Sequence, residues 1–170
     1  MLIKKYRWCL IAMKKSREFD LYQGGTAMRY AVATDGSESS LKAARFLVEH
    51  SCPGPEDEIF VIYVFPLPAD PDCYDGVVSL PTHAGDERVA GVAKPILTKT
   101  MEVLAETESQ VNEVVLLGNP AKEIVEFAMN LGMGLIVAGT RGRSPERELY
   151  LGSVSSALTH RAPCSVLIVR

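Results

Sequence analysis

The sequence predicts an open, parallel α/β sheet with helices on both faces. Three observations lead there. From Met28 onward, five apolar runs of strand length alternate with four segments of helical period, and right-handed β-α-β crossovers place such helices on the two faces of a parallel sheet. The second run, Glu58–Phe65, reads EIFVIYVF, nearly all apolar, as a strand covered on both faces should be. Finally, 170 residues with 47% hydrophobic and 23% charged content suit one ordinary core and exclude wholesale disorder, collagen-like repeats and mucin-like stalks.

Each element has its own justification. Tyr30–Thr34 is a short β-rich run that stops at Asp35-Gly36-Ser37. Leu41, Ala44, Leu47 and Val48 then recur at helical spacing, with Ser37 or Ser39 as N-cap. That helix should end near His50, ahead of Cys52-Pro53-Gly54-Pro55. After Glu58–Phe65, four prolines (Pro66, Pro68, Pro71, Pro81) forbid regular structure over most of 66–85. Loops of this length tend to be functional or mobile. The helical period returns over Asp86–Glu106, but Gly91 and Pro95 inside it predict a kink or a split. Val111–Leu117 is the third strand, closed by Gly118-Asn119-Pro120. There Asn119 is a good N-cap and Pro120 fits the first helical position. Ile124, Phe127, Ala128 and Leu131 mark one face of the next helix, and Leu135–Ala138 is the fourth strand. A last helix, Gly152–Arg161, carries Val154, Ala157 and Leu158 and stops at Ala162-Pro163, before the fifth strand Ser165–Val169.

Charge and cysteine usage narrow the function classes. The formal net charge is -3, which disfavours a nucleic-acid partner. No apolar run approaches the roughly 18 residues of a membrane span. Cys9, Cys52, Cys73 and Cys164 form no CxxC pair, so zinc spacings are absent and a reducing, cytoplasmic compartment is expected. Residues 1–28 hold six basic and two acidic side chains, net +4, leaving -7 on the rest. Residues 1–27 therefore read as a basic N-terminal extension outside a core domain spanning 28–170. The extension is a translated upstream stretch, an ordered arm, or a membrane-surface or partner-binding helix. Its apolar stretch, Trp8–Met13, is too short for a signal-peptide core. Asp70, Asp72 and Asp75 lack the spacing of a calcium loop. His50 and His160 sit at helix C-termini, where the dipole favours histidine, and His83 falls in the irregular loop.

In open α/β sheets, ligands bind beyond the carboxyl ends of the strands, where the winding reverses. The richest such segment is Gly139-Thr140-Arg141-Gly142-Arg143-Ser144, followed by Gly152-Ser153-Val154-Ser155-Ser156 at a helix start. Gly139 and Gly142 would admit positive φ and bring backbone N–H groups close to a ligand. The helix opened by Gly152 and Ser153 would attract an anion, Ser153 and Ser155 offer hydroxyls, and Arg141 and Arg143 add positive charge. These are the parts of a phosphate cradle, and equally of a plain glycine turn before an ordinary helix. Neither GxxxxGK[ST] nor a GxGxxG after a strand is present, which argues against P-loop NTPases and nicotinamide dehydrogenases.

The pattern Gly139-x2-Gly142-x9-Gly152-Ser153 resembles the nucleotide-binding signature of the universal stress protein family. Val32-Ala33-Thr34-Asp35-Gly36-Ser37 resembles that family's first strand and loop. Gly118-Asn119-Pro120 and Ala162-Pro163-Cys164-Ser165-Val166-Leu167-Ile168-Val169 resemble its later landmarks. The likeness covers residues 28–170 and points to the ATP-binding, glycine-motif subclass. It implies the fold of adenine nucleotide α-hydrolase-like proteins, a five-stranded parallel sheet of order 3-2-1-4-5. It also implies ATP, with Mg²⁺ or Mn²⁺, as ligand. Asp35 and the backbone at Val64 would meet adenine and ribose, and Gly118 would border the ribose. Gly139, Arg141, Gly142, Gly152, Ser153 and Val154 would hold the triphosphate. The family's pairing of its last strand implies a homodimer through Ser165–Val169. Departures from the pattern are Gly134, where aspartate is common, and Pro145, Glu146 and Glu148 near the phosphate loop. Three functions are compatible with these residues. First comes a nucleotide-dependent regulatory dimer in the stress response. The others are a nucleotide-free structural dimer, and a slow ATPase or self-phosphorylating enzyme using Ser153 or Ser155.

Overall fold

A computed structural model describes residues 27–68, 81, 83–142 and 151–170. The extension over 1–26, the bulk of segment 66–85 with Asp70, Asp72 and Asp75, and the stretch with Arg143, Ser144, Pro145, Glu146 and Glu148 lie outside the described residues. Among the described residues, nine strands and α-helices alternate as the periodicity predicts. They are β1 (Arg29–Ala33), α1 (Glu38–Phe46), β2 (Glu58–Pro66), α2 (Glu87–Val103), β3 (Gln110–Gly118), α3 (Pro120–Leu131), β4 (Leu135–Gly139), α4 (Ser153–Arg161) and β5 (Ser165–Val169). All neighbouring strands pair in parallel, in the order β3-β2-β1-β4-β5.

The central strands bury both faces, which is why β2 is apolar from Ile59 to Phe65. On one side Val32, Ile59, Val61 and Val137 pack with Ala44 and Leu47, and with Ile96 and Leu97 of α2. On the other, Ala31, Phe60, Ile62 and Ile136 pack with Ile124, Phe127 and Leu158 of α3 and α4. Phe60 and Phe127 meet edge to face at 5.7 Å. The edge strand β5 is different: Val166, Leu167, Ile168 and Val169 are only partly buried.

Local chemistry sets the helix starts. Ser37, rather than Ser39, caps α1 by accepting the Ser40 amide, and Asn119 caps α3 by accepting the Lys122 amide ahead of Pro120. The first helix ends near His50, as expected, but its last turn, Leu47–Ser51, is π-helical, with Phe46 stacked on His50 at 4.0 Å. Of the kink or split expected at Gly91 and Pro95, the split does not occur: α2 runs unbroken past Pro95. Pro95 removes the donor for the Gly91 carbonyl, but both residues are solvent-exposed, so water can satisfy that carbonyl.

This topology positions the site. α1 and α2 cover one face of the sheet, α3 and α4 the other. The chain therefore leaves β1 toward one face and the neighbouring β4 toward the other, which opens a crevice at their carboxyl ends.

Candidate functional site

That crevice is a cleft of about 760 Å³, in the size range of small-molecule sites. Its inner wall is apolar, made of Ala33, Ile62, Val64, Ile124 and Ala138, all buried. Its mouth is polar, with Asp35, Arg141, Gly142, Gly152 and Ser153. Among the residues expected from the sequence, Asp35, Val64, Gly139, Arg141, Gly142, Gly152, Ser153 and Val154 all line this one cleft. Gly118 does not. It ends β3 opposite Pro66, with φ of 134°, and its carbonyl accepts the Leu67 amide at 3.2 Å. A Cβ there would stand 2.7 Å from Glu123 Oε1, so backbone conformation and crowding account for this glycine.

The positive φ expected at Gly139 and Gly142 is absent. Among the described residues the positive-φ glycines are Gly36, Gly118 and Gly132, so Gly139, Gly142 and Gly152 do not serve left-handed turns. Each lets protein atoms approach closely. A Cβ on Gly139 would fall on Ser39, 2.6 Å from its carbonyl carbon and closer still to its hydroxyl. On Gly142 it would lie 2.5 Å from Asp35 Oδ2. On Gly152 it would lie 3.2 Å from the Thr140 carbonyl and 3.3 Å from Arg141 Cα. The Gly152 amide is also engaged, donating to the Thr140 carbonyl at 2.7 Å. Ser155 Oγ donates to that same carbonyl at 2.9 Å, with the Gly152 carbonyl 3.0 Å away. This clamp joins the two ends of the loop between β4 and α4. It also commits the buried Ser155 hydroxyl internally. The amides left without an intrahelical partner by helix geometry are those of Ser153, Val154 and Ser155. They supply the partial positive charge at the mouth, beside Arg141.

Sequence reasoning missed several lining residues. Thr34 follows β1, Tyr63 lies inside β2 and Pro66 ends it, Pro120 begins α3 and Ile124 lies one turn further on. The strand-end rule would have flagged Thr34, one position before Asp35. Leu151 lines the cleft while 46% exposed. At the foot of α3, burial and the nearby Glu126 push the Glu123 carboxyl above its ordinary range. Among the described residues no group of three His, Cys, Asp or Glu side chains is placed to hold a metal ion. Among the described residues Asp35 is the acid that lines the cleft.

Fold and site together define a class: a doubly wound α/β protein with a half-apolar, half-polar cleft at the switch point of its sheet. The universal stress protein family model matches residues 28–170, and the chain belongs to that family. Universal stress protein YxiE of Bacillus subtilis is 36% identical over 143 residues, covering 82% of this chain and 96% of its own. The solved structure of protein MJ0577 of Methanocaldococcus jannaschii superposes with a TM-score of 0.64 at 21% identity, over 85% of this chain and 96% of that one. A universal stress protein from Archaeoglobus fulgidus, solved in complex with dAMP, superposes with a TM-score of 0.58 at 21% identity, over 84% of this chain and 98% of that one. Among the described residues no helix is long and apolar enough to cross a membrane.

Proposed function

We propose that the protein binds an adenine nucleotide in this cleft and acts as a nucleotide-dependent regulatory homodimer in the stress response. One observation carries the reading. A buried apolar slot and a polar mouth, which carries Arg141 and the start of α4 beside Asp35, occur in one cleft at the switch point. The dAMP complex of the related fold supports it. The base enters the slot formed by Ala33, Ile62, Val64 and Ala138, where it leaves water. The Asp35 carboxylate accepts hydrogen bonds from the ribose or the adenine amino group, and Gly118 flanks the ribose side from the end of β3. Phosphate oxygens meet the Ser153 and Val154 amides, the Ser153 hydroxyl and Arg141. The backbone at Gly139, Gly142 and Gly152 frames this mouth, and the Gly152 amide is already held by the Thr140 carbonyl. ATP with Mg²⁺ or Mn²⁺ is the ligand in this reading, and the cytoplasm its compartment. Residues 1–27 are a basic extension outside the 28–170 domain. The half-buried apolar edge of β5 supports a two-fold dimer through that strand.

The test is calorimetric titration of the full chain with ATP, ADP, AMP and adenosine, with and without Mg²⁺. We expect micromolar binding of at least ATP, weakened about tenfold or more by Asp35→Ala, the scale of one charged hydrogen bond. Absence of heat up to millimolar nucleotide overturns the reading. Light scattering at micromolar protein should give the dimer mass, and a monomer there overturns the assembly.

A further inference from the structure

From the cleft wall into the core behind it, three hydroxyls form a buried chain, in which Thr34 and Ser40 line the cleft and Thr100 does not. Thr34 follows β1, Ser40 lies in the first turn of α1, and Thr100 lies in α2, 66 positions along the chain from Thr34. Thr100 is wholly inaccessible to solvent, at 0% exposure. The hydrogens can be assigned by exclusion, because each hydroxyl has one. Thr100 Oγ1 donates to the Ile96 carbonyl at 3.1 Å, and Ser40 Oγ to the Ser37 carbonyl at 2.8 Å. Thr34 is then the donor within the chain. Its nearer acceptor is Thr100 Oγ1 at 2.9 Å, against Ser40 Oγ at 3.2 Å. Thr34 Oγ1 in turn accepts the Gly36 amide at 3.2 Å, and Asp35 Oδ1 accepts the Ser37 amide at 3.0 Å. The chain thus runs from α2 into the turn that presents Asp35 to the cleft. A packing contact runs beside it: a Cβ on Gly36 would lie 3.1 Å from Ile96, one helical turn before Thr100. No residue of α2 lines the cleft.

We infer that Thr100 is a positioning residue for the cleft, its hydroxyl fixing Thr34 and hence the Asp35 turn, so that the placement of α2 and occupancy of the site are linked. The inference rests on the nucleotide reading proposed above. Without the Thr100 hydroxyl, the Thr34 hydrogen is left to Ser40, and the Gly36 amide no longer meets an oxygen held in one orientation. The turn then spends part of its time with Asp35 misplaced, and apparent affinity falls by the competent fraction. Loss of one neutral hydrogen bond corresponds to about a three- to tenfold weakening. Linkage is reciprocal, so a bound nucleotide must steady α2 near Thr100.

The experiment titrates the full chain with Mg-ATP and with AMP, comparing wild type, Thr100→Val and Thr100→Ser, and follows amide exchange across α2 in the wild type with and without nucleotide. We expect Thr100→Val to bind about three- to tenfold more weakly and Thr100→Ser, which keeps the hydroxyl, to bind within about twofold of wild type. Nucleotide should slow exchange in the last turns of wild-type α2, a measurement that needs no variant to fold. Equal binding by Thr100→Val, equal weakness of Thr100→Ser, or unchanged exchange in α2 overturns this inference alone. A wild type that binds neither nucleotide overturns the reading on which it rests, and this inference with it.

Discussion

Replacing Gly139 by alanine separates two meanings of a signature glycine. If the glycine serves only to let a ligand approach, the ligand-free protein should tolerate a methyl group there. The structure says otherwise. The added Cβ would stand 2.6 Å from the carbonyl carbon and 2.7 Å from the carbonyl oxygen of Ser39, both backbone atoms at the start of α1. A backbone clash cannot be relieved by a rotamer change, so β4 and α1 must move apart. Overpacking of this kind costs about 1–3 kcal/mol, and a backbone-on-backbone clash belongs near the top, about 3 kcal/mol. For a domain of this size that is a fall in Tm of roughly 6–12 °C. Gly91 is the control. It sits exposed in α2 with nothing within 4 Å of an added Cβ, so Gly91→Ala should stabilise by about 0.5–1 kcal/mol through helix propensity alone. The assay is urea and thermal unfolding followed by circular dichroism, without nucleotide. A Gly139→Ala variant within about 0.5 kcal/mol of wild type would refute the packing argument and return the glycine to the ligand.

Two further expectations come from the same geometry. Ser155→Ala removes the hydroxyl that holds the Thr140 carbonyl and should cost about 1 kcal/mol in unfolding free energy. Exposed Ser153→Ala should leave stability within about 0.5 kcal/mol, so equal effects in denaturant titration would contradict the clamp. Glu113 lies on the face of β3 shared with Val111 and Val115, and burial raises its pKa above the ordinary 4.5. The folded state then binds a proton more readily than the unfolded chain, so this residue lowers stability as pH rises through the folded pKa. Glu113→Gln should be more stable than wild type at neutral pH, and the gap should close as pH falls toward 4.5. A gap that widens on acidification in urea titrations at several pH values would contradict this.

Much of the fold was legible because its determinants are local. The alternation of runs, the apolar run of β2 and the caps at Ser37 and Asn119 act within a few residues of themselves. Strand order is not local. Periodicity alone left it open, and the family resemblance supplied it. Of the kink or split expected in α2, the split is absent because the sequence does not say which face of the helix Pro95 occupies, and on the solvent face the lost hydrogen bond is cheap. The cleft was legible as a set of strand-end residues, most of which do converge. What each one does there was not. The Gly152 amide reads as a phosphate donor until the Thr140 carbonyl is found 2.7 Å away. Nothing in the sequence joins Thr100 to Thr34, since only the crossover from β1 to α2 brings them together.

The glycines and the buried hydroxyls solve one problem. A cleft at the switch point lies where two loops depart toward opposite faces, so it has no strand or helix of its own to hold it in shape. Here the β4 side is fixed by glycines that bring backbone against backbone, at Gly139 on Ser39 and at Gly152 on Thr140. The β1 side is fixed by hydroxyls, through Thr34 to Ser40 and Thr100. The two sides meet where Gly142 leaves room for the Asp35 carboxylate. A Cβ at Gly142 would press on a carboxylate that can swing away. Gly142→Ala should therefore preserve stability where Gly139→Ala does not, yet still weaken nucleotide binding by displacing Asp35. Unfolding and titration measured on the same two variants check this. Loss of stability in Gly142→Ala comparable to that in Gly139→Ala would show that the Asp35 side chain is held as rigidly as the backbone around it.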